Sequence, residues 1–310
     1  MAARTAPPAG TSLIAPAHPV TADVADEVRR LAAGASAADG IEALGEQTLL
    51  ALADTHAVVR HLLVRDETGS LVGYAQVDLG GSPPSAELVV APEARRGGVG
   101  SALLWALHDA TGPAAGPPAV WAHGDLPPAR ALAARAGLRT GRELLQLARD
   151  LPAGTAAPEP PPGVSLRTFV VGSDEEAVLA VNRRAFADHP EQGRLNRTDL
   201  EARMGEPWFD PEDLVLAERD GTLVAFLWLK VEPGSAEGEL YVLGVDPSAQ
   251  GQGLGRLLTG VTLDRLGRKG LHRVLLYTEA ANTAAVRTYT AAGFTRSRVD
   301  VQYVWPPAQG

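Results

Sequence analysis

The sequence predicts two tandem copies of one α/β (α+β) domain, each a mixed, mostly antiparallel sheet flanked by helices. Three observations predict it. The 310 residues divide naturally into two domains of about 150, each long enough to bury its own core. A strand, glycine loop and helix occur twice, as VAPEARRGGVGSALL from Val90 and as VDPSAQGQGLGRLL from Val245, with Gly253 standing 155 residues beyond Gly98. Other blocks repeat in the same order: Leu62–Leu79 matches Leu214–Val231 at an offset of 152, and Ala136-Gly137-Leu138 matches Ala292-Gly293-Phe294 at 156, where Gln146 meets Gln302. Matched order with a small drift indicates duplication, and the period is too long for a solenoid.

The elements follow in order. The first ~20 residues, rich in Ala and Pro, read as a frayed lead. Asp23 to Ala33 has helical spacing in Val24, Val28 and Leu31, and Glu46 to Ala53 reads as a second short helix. Arg60–Arg65 and Ser70–Leu79 read as a hairpin around Asp66-Glu67-Thr68-Gly69. Glu87–Val90 is a strand and Gly98–Ala110 the helix behind the first glycine loop. Ala119–His123 is a strand, Pro127–Ala136 a helix capped by Gly137, and Arg142–Arg149 a closing strand. The first domain is read as 1–151, the Pro-rich 152–163 as a semi-rigid linker, and 164–310 as the second domain.

The second half repeats the plan. Val164–Val170 is a strand, and Asp174–Ala187 and Asp199–Met204 are helices. Leu214–Ala217 and Leu223–Val231 pair around Asp220-Gly221. Glu237–Val245 is a strand, Leu254–Leu266 a helix and Arg273–Thr278 a strand. Thr283–Ala292 is a helix stopped by Gly293, and Ser297–Trp305 the last strand. This is not the regular alternation of a dinucleotide fold, and neither loop has that fold's glycine spacing or a Walker lysine.

Composition narrows the function. There is no cysteine, so disulfides, thiol nucleophiles and cysteine metal sites are excluded, and the seven histidines show no metal spacing. The net charge of −9 argues against nonspecific nucleic-acid binding. No run approaches the roughly 18 apolar residues of a membrane span, and the N-terminus lacks the apolar stretch of a signal peptide. A cytoplasmic monomer that binds neither nucleic acid nor membrane is the expectation. The glycine loops are the chemical signal, because backbone N–H groups ahead of a helix N-terminus bind phosphates, and Arg256 adds a cation. A glycine-rich turn before an ordinary helix is the plainer alternative.

Strand, then [Gln/Arg]-x-x-Gly-x-Gly, then helix, strand, and a helix ending in Ala-Gly-Phe resembles the GNAT superfamily of acetyl-CoA-dependent N-acyltransferases. GEQ at Glu46, WAHG at Trp121–Gly124, AFADHPEQG at Ala185–Gly193, EPWFDP at Glu206–Pro211 and ELYVLGVDP at Glu239–Pro247 sharpen the resemblance, toward the mycothiol acetyltransferase family of actinobacteria. That family moves an acetyl group from acetyl-CoA to the cysteinyl amine of desacetylmycothiol, a cysteine–glucosamine–inositol conjugate, and uses no metal.

The resemblance implies specific roles. Leu243, Gly244 and Val245 would offer backbone N–H groups to the thioester. Gln250, Gly251, Gln252, Gly253, Leu254, Gly255 and Arg256 would take the pyrophosphate, and Asn282 and Arg287 would lie on the cofactor side. Glu239 would accept the amine proton and Tyr289 would give a proton to the departing sulfur. With simple alternation Glu239, Tyr241 and Leu243 share one strand face. Gly244 suits a place where a ligand crowds the chain. Glu46, Glu191, Lys230, Glu239 and Tyr277 would hold the acceptor. If Glu46 does so, the two domains face a shared cleft. The plainer readings are a solvated glutamate, a core tyrosine, a helix cap at Asn282 and a surface pair of Lys230 with Glu232.

Aligning the halves sets Pro84 against Glu239, Ala133 against Tyr289 and Leu126 against Asn282. The first half keeps Leu88, Val89, Val90 and the loop Arg96, Gly97, Gly98, Val99, Gly100, Ser101. It is therefore expected to accept acetyl-CoA without turning it over. A GNAT enzyme for another small amine and a noncatalytic acyl-CoA sensor remain as alternatives. The pairing of Glu239 with Tyr289 favours an enzyme.

Overall fold

The computed structural model describes residues 7–151, 157–187, 189 and 192–307. By contact the chain forms two compact units, residues 1–143 with 299–310, and residues 144–298. In order, the first half supplies β1 (Ser12–Ile14), α1 (Ala22–Asp39), α2 (Glu46–Leu50), β2 (Val59–Arg65), β3 (Leu71–Asp78), β4 (Ser85–Val90), α3 (Val99–Ala110), α4 (Gly112–Ala115), β5 (Ala119–Ala122), α5 (Pro127–Ala136) and β6 (Arg139–Asp150). The second supplies β7 (Val164–Thr168), α6 (Glu175–Ala185), α7 (Arg197–Met204), β8 (Leu214–Arg219), β9 (Thr222–Lys230), β10 (Glu237–Val245), α8 (Leu254–Arg268), β11 (Arg273–Glu279), α9 (Thr283–Ala291) and β12 (Thr295–Val304).

In unit 1 the strands run β1-β2-β3-β4-β5-β12, and in unit 2 β6-β11-β10-β9-β8-β7. Each central pair is parallel, β4 with β5 and β10 with β11, and the other pairings described are antiparallel. The N-terminal lead is not frayed throughout. Ser12–Ile14 pairs with Leu63–Arg65 because β2 offers an open edge and Leu13 packs on the unit 1 core. Thr21 then caps α1, whose buried Val28, Leu31 and Ala35 face the sheet, and left-handed Gly40 ends it.

The closing strands are exchanged. Leu144–Asp150 of β6 pairs along β11, and Leu145 and Leu147 pack in the unit 2 core. Val301–Tyr303 of β12 pairs with β5, and Tyr303 and Trp305 pack in the unit 1 core. A contact division therefore cuts inside these two strands, and not at the Pro-rich segment, of which 152–156 lie outside the described residues. The strands carry their apolar side chains to the sheet edge that needs covering, whichever half of the chain built it.

Unit 2 has a core on each sheet face. Leu240, Leu229 and Leu276 pack with Leu254, Leu257, Leu258 and Tyr289 from α8 and α9. Val242, Phe226 and Trp228 pack with Val178, Val181 and Leu200 from α6 and α7. No helix among the described residues is long and apolar enough to cross a membrane.

Unit 1 buries a polar chain on its sheet. His18 Nδ1 lies 2.9 Å from His61 Nε2, His61 Nδ1 lies 2.8 Å from the Tyr74 hydroxyl, and that hydroxyl donates to Gln76 Oε1 at 2.9 Å. Burial, with the charge of His18 second, lowers the His61 pKa to about 4. A base lowered on folding contributes stability fully above its unfolded value of about 6.5, and loses it as pH falls toward 4. The melting temperature is expected to drop between pH 6.5 and 4, and His61→Gln to flatten that slope in thermal melts. An unchanged slope would show that His61 does not carry it.

Candidate active site

The site of unit 2 is built where β10 and β11 part. They pair in parallel only from Glu237–Arg273 to Leu240–Leu276, so the edge of β10 beyond Leu240 faces no strand partner in β11. On its other edge β10 shifts register against β9 between Leu240 and Val242, which leaves Tyr241 as a bulge. A bulge adds one residue to one strand and re-aims the side chains beyond it. Leu240 packs on the α8–α9 side, whereas Val242 packs on the α6–α7 side with Tyr241. Leu243 returns to the α8–α9 side. The expected common face of Glu239, Tyr241 and Leu243 is therefore corrected: Glu239 and Tyr241 share one face, and Leu243 lies on the other.

Glu239 is directly opposite Lys230 in the β9–β10 register. The Lys230 side chain is only 14% exposed, so it is more than a surface pair, although its Nζ stands 3.1 Å from Glu232. The ammonium lies 5.0 Å from the centre of the Trp208 ring and 5.6 Å from that of Tyr241. Such cation–π contacts restrain a lysine side chain. Tyr241 stacks edgewise on Trp208 at 5.2 Å and accepts a hydrogen bond from Arg203 Nε at 2.8 Å. Residue alternation on β11 brings Tyr277 and Glu279 to the same face. The Tyr277 hydroxyl accepts from Gln146 Nε2 at 2.7 Å and from Arg298 Nη2 at 2.8 Å. His189 Nε2 stands 3.9 Å from Glu279. Glu191 lies outside the described residues.

The other face carries the glycine loop. Asp246 turns the chain after β10, its carboxylate accepting from Ser248 N at 2.9 Å and pairing with Arg184 at 2.5 Å. Gly253 caps α8 in the left-handed region at φ 83, with no side-chain cap on the first-turn N–H groups. A Cβ at Gly251 or Gly253 would meet nothing within 4 Å, so the space above the loop is open. Uncapped donors beside open space suit a phosphate. Gly244 is required by the core beneath as well: a Cβ there would come within 2.6 Å of Phe226.

Tyr289 is 7% exposed on α9, edge-on to Phe294 at 5.9 Å. Among the described residues its hydroxyl makes no hydrogen bond, and burial pushes its pKa up to about 12. Asn282 is the cap of α9, its Oδ1 accepting from Ala285 N at 3.1 Å, and Arg287 is exposed. Unit 1 differs. β4 pairs with β3 without a register shift, so Leu88, Val89 and Val90 follow no bulge. Its loop still ends in a left-handed Gly98 with an uncapped α3, but Arg96 takes φ 67 and Arg95 is held by Asp39 at 2.8 Å through both terminal nitrogens. Gly97, Val99, Gly100 and Ser101 form the loop and first turn.

Sequence reasoning missed Trp208, Arg203, Gln146 and Arg298 as partners of the site. Trp208 lies in the EPWFDP motif and Gln146 in a repeat match, but neither position tells what its side chain touches.

A profile of the acetyltransferase (GNAT) family matches residues 30–138 and 182–294. A mycothiol acetyltransferase from Sanguibacter keddieii is 55% identical over 303 residues, covering 93% of this chain and 95% of its own. One from Cellulomonas flavigena is 51% identical, covering 97% and 91%. Among solved structures, a tandem GNAT protein from the clavulanic acid biosynthesis pathway superposes with a TM-score of 0.72 at 20% identity, covering 96% of this chain and 100% of that one. A GCN5-related N-acetyltransferase from Sphaerobacter thermophilus gives 0.66 at 26% identity, covering 96% and 95%.

Proposed function

The chain belongs to the GNAT acetyltransferases and, within them, to the mycothiol acetyltransferase family; from that premise we infer how its residues move an acetyl group from acetyl-CoA to the cysteinyl amine of desacetylmycothiol, giving mycothiol and CoA. One observation carries the reading of the site. The bulge at Tyr241 puts Glu239 and Leu243 on opposite faces of β10, Glu239 just before and Leu243 just after the point where its edge parts from β11. An acyl thioester lying along that edge has a carboxylate on one side and the buried phenol of Tyr289 among the side chains of the other.

In this reading backbone N–H groups of Leu243, Gly244 and Val245 meet the thioester carbonyl and stabilise the oxyanion. Gln250 to Arg256 hold the pyrophosphate, with Asn282 and Arg287 on the cofactor side. Glu239 accepts the ammonium proton, directly or through one water, and the freed nitrogen attacks the carbonyl carbon. The C–S bond then breaks, the thiolate leaves, and the nitrogen gives up its second proton to solvent. A phenol near pKa 12 is a weaker acid than a thiol of about 8.5, so Tyr289 acts chiefly by donating a hydrogen bond to the developing thiolate. Glu191, Lys230 and Tyr277 hold the hydroxyls and polar groups of the acceptor.

The test is acetyl transfer to desacetylmycothiol measured against other small amines, such as an aminoglycoside or a polyamine. Preference for the cysteinyl conjugate supports the reading; equal rates would assign the site to another amine. Unit 1 keeps the loop but no base or donor at the matching positions. Titration calorimetry with acetyl-CoA is expected to give two sites per chain, one of them without turnover. A single site in unit 2 would remove acetyl-CoA binding from unit 1.

A further inference from the structure

Unit 2 largely buries a lysine beside the carboxylate that the chemistry above uses. Lys230 on β9 and Glu239 on β10 are directly opposite, so their side chains leave the sheet on the same face. Glu232, whose carboxylate stands 3.1 Å from the Lys230 ammonium, is 57% exposed, and a solvated pair of that kind holds a side chain weakly. Two rings add to it. The Trp208 ring centre lies 5.0 Å from Nζ and that of Tyr241 5.6 Å. The two rings meet edgewise at 5.2 Å and form adjoining walls. Both walls are themselves held. Trp208 is buried, and Trp228 touches both rings, at 5.6 Å from Trp208 and 5.5 Å from Tyr241. Arg203 donates from Nε to the Tyr241 hydroxyl at 2.8 Å and from Nη1 to the Asp199 carbonyl of α7 at 3.0 Å.

The repeat separates this arrangement from the needs of the fold. Lys230 matches Asp78 at the offset of 152, and Asp78 lies opposite Ser85 where Lys230 lies opposite Glu239. The Asp78 carboxylate accepts from Gly80 N at 2.7 Å. Unit 1 thus forms the same rung with neither a lysine nor a bulge. The lysine and the bulged Tyr241 occur in the copy that keeps the glutamate, so they go with the chemistry. A lysine ammonium carries three donors and no acceptor, which suits the hydroxyl oxygens of a polyol. Its four-carbon stem is flexible, and a loose one would have to be ordered each time an acceptor bound. Aromatic walls order it beforehand.

We propose that Trp208 is a positioning residue for acceptor binding: with Tyr241 as the second wall, it holds the Lys230 ammonium on the Glu239 face, where the ammonium donates to a hydroxyl of the acceptor. The proposal rests on the reading that Lys230 contacts the acceptor, and the experiment separates the two. In the full-length protein, KM for desacetylmycothiol, KM for acetyl-CoA, kcat and melting temperature are measured for Lys230→Met, Glu232→Gln, Trp208→Phe and Trp208→Leu, and for each Trp208 variant combined with Lys230→Met. The attraction of a ring face for a cation falls from indole to benzene and is absent in leucine. The acceptor KM is therefore expected to rise about threefold in Trp208→Phe and about tenfold in Trp208→Leu, and at least as much in Lys230→Met, with acetyl-CoA KM and kcat held within about twofold. Glu232→Gln is expected to leave the acceptor KM within about twofold of wild type. In the Lys230→Met background neither Trp208 variant raises it further, because no ammonium is left to place. If Trp208→Leu fails to fold, Trp208→Phe keeps an aromatic core and still reads the effect. An acceptor KM unmoved by the Trp208 variants while Lys230→Met raises it, or rises of equal size in both backgrounds, overturns the positioning role. So does a loss spread over kcat and both KM values together, which marks a merely structural residue. An acceptor KM unmoved by Lys230→Met overturns the reading of Lys230, and the proposal with it.

Discussion

Glu239→Gln lowers acetyl transfer at pH 7 by about 10²–10⁴-fold, the range general-base help supplies, or about 3–5 kcal/mol of barrier. The amide keeps the size and the β9–β10 register, so KM for acetyl-CoA and the melting temperature stay near wild type. The loss shrinks as pH rises. An α-amine with pKa about 8 is mostly neutral by pH 9, and the variant no longer depends on a protein base to free the nitrogen. Steady-state rates from pH 6.5 to 9.5 check this. A Glu239→Gln enzyme with wild-type rate at pH 7 would remove the carboxylate from the chemistry. A uniform loss across the range would make it a contact for the acceptor alone.

Tyr289→Phe is the second large effect, about 10²-fold in kcat. Its ring is buried beside Phe294 and its hydroxyl makes no hydrogen bond among the described residues, so phenylalanine fills the same space. Stability is expected to hold, since the packing of the ring is kept. The kinetic signature is specific. If the phenol stabilises the departing thiolate, a thioester with a more acidic thiol suffers less from the substitution than acetyl-CoA does. Equal losses for both thioesters would assign Tyr289 to packing. Together the two variants ask whether base and donor act from opposite faces of β10, which the bulge makes possible.

Much of the fold is legible in the residue order. The repeat, the strand–glycine loop–helix order and the apolar run of β10 are local patterns, and local patterns are what periodicity reads. The loop at Gly251 and Gly253 follows from glycine spacing, and the cap at Asn282 from residue type at a helix start. The bulge at Tyr241 is not legible, because burial alternates straight through it and only the pairing with Trp228 and Lys230 exposes the extra residue. Gly244 shows the same limit. Its need is set by Phe226, a residue of the neighbouring strand that no spacing rule connects to it.

The amino-acid order alone determined that one module was duplicated, which loops suit phosphate, and which copy kept a glutamate and a tyrosine. Those are statements about residue type and spacing along the chain. Only the tertiary structure decided which faces Glu239 and Leu243 occupy, which unit each closing strand completes, what lies under Lys230, and that Asp300 reaches His123 from 177 residues away along the chain. The physical reason is common to all four. Strand register and side-chain packing are chosen by partners distant in sequence, and those partners meet only when the sheet has formed.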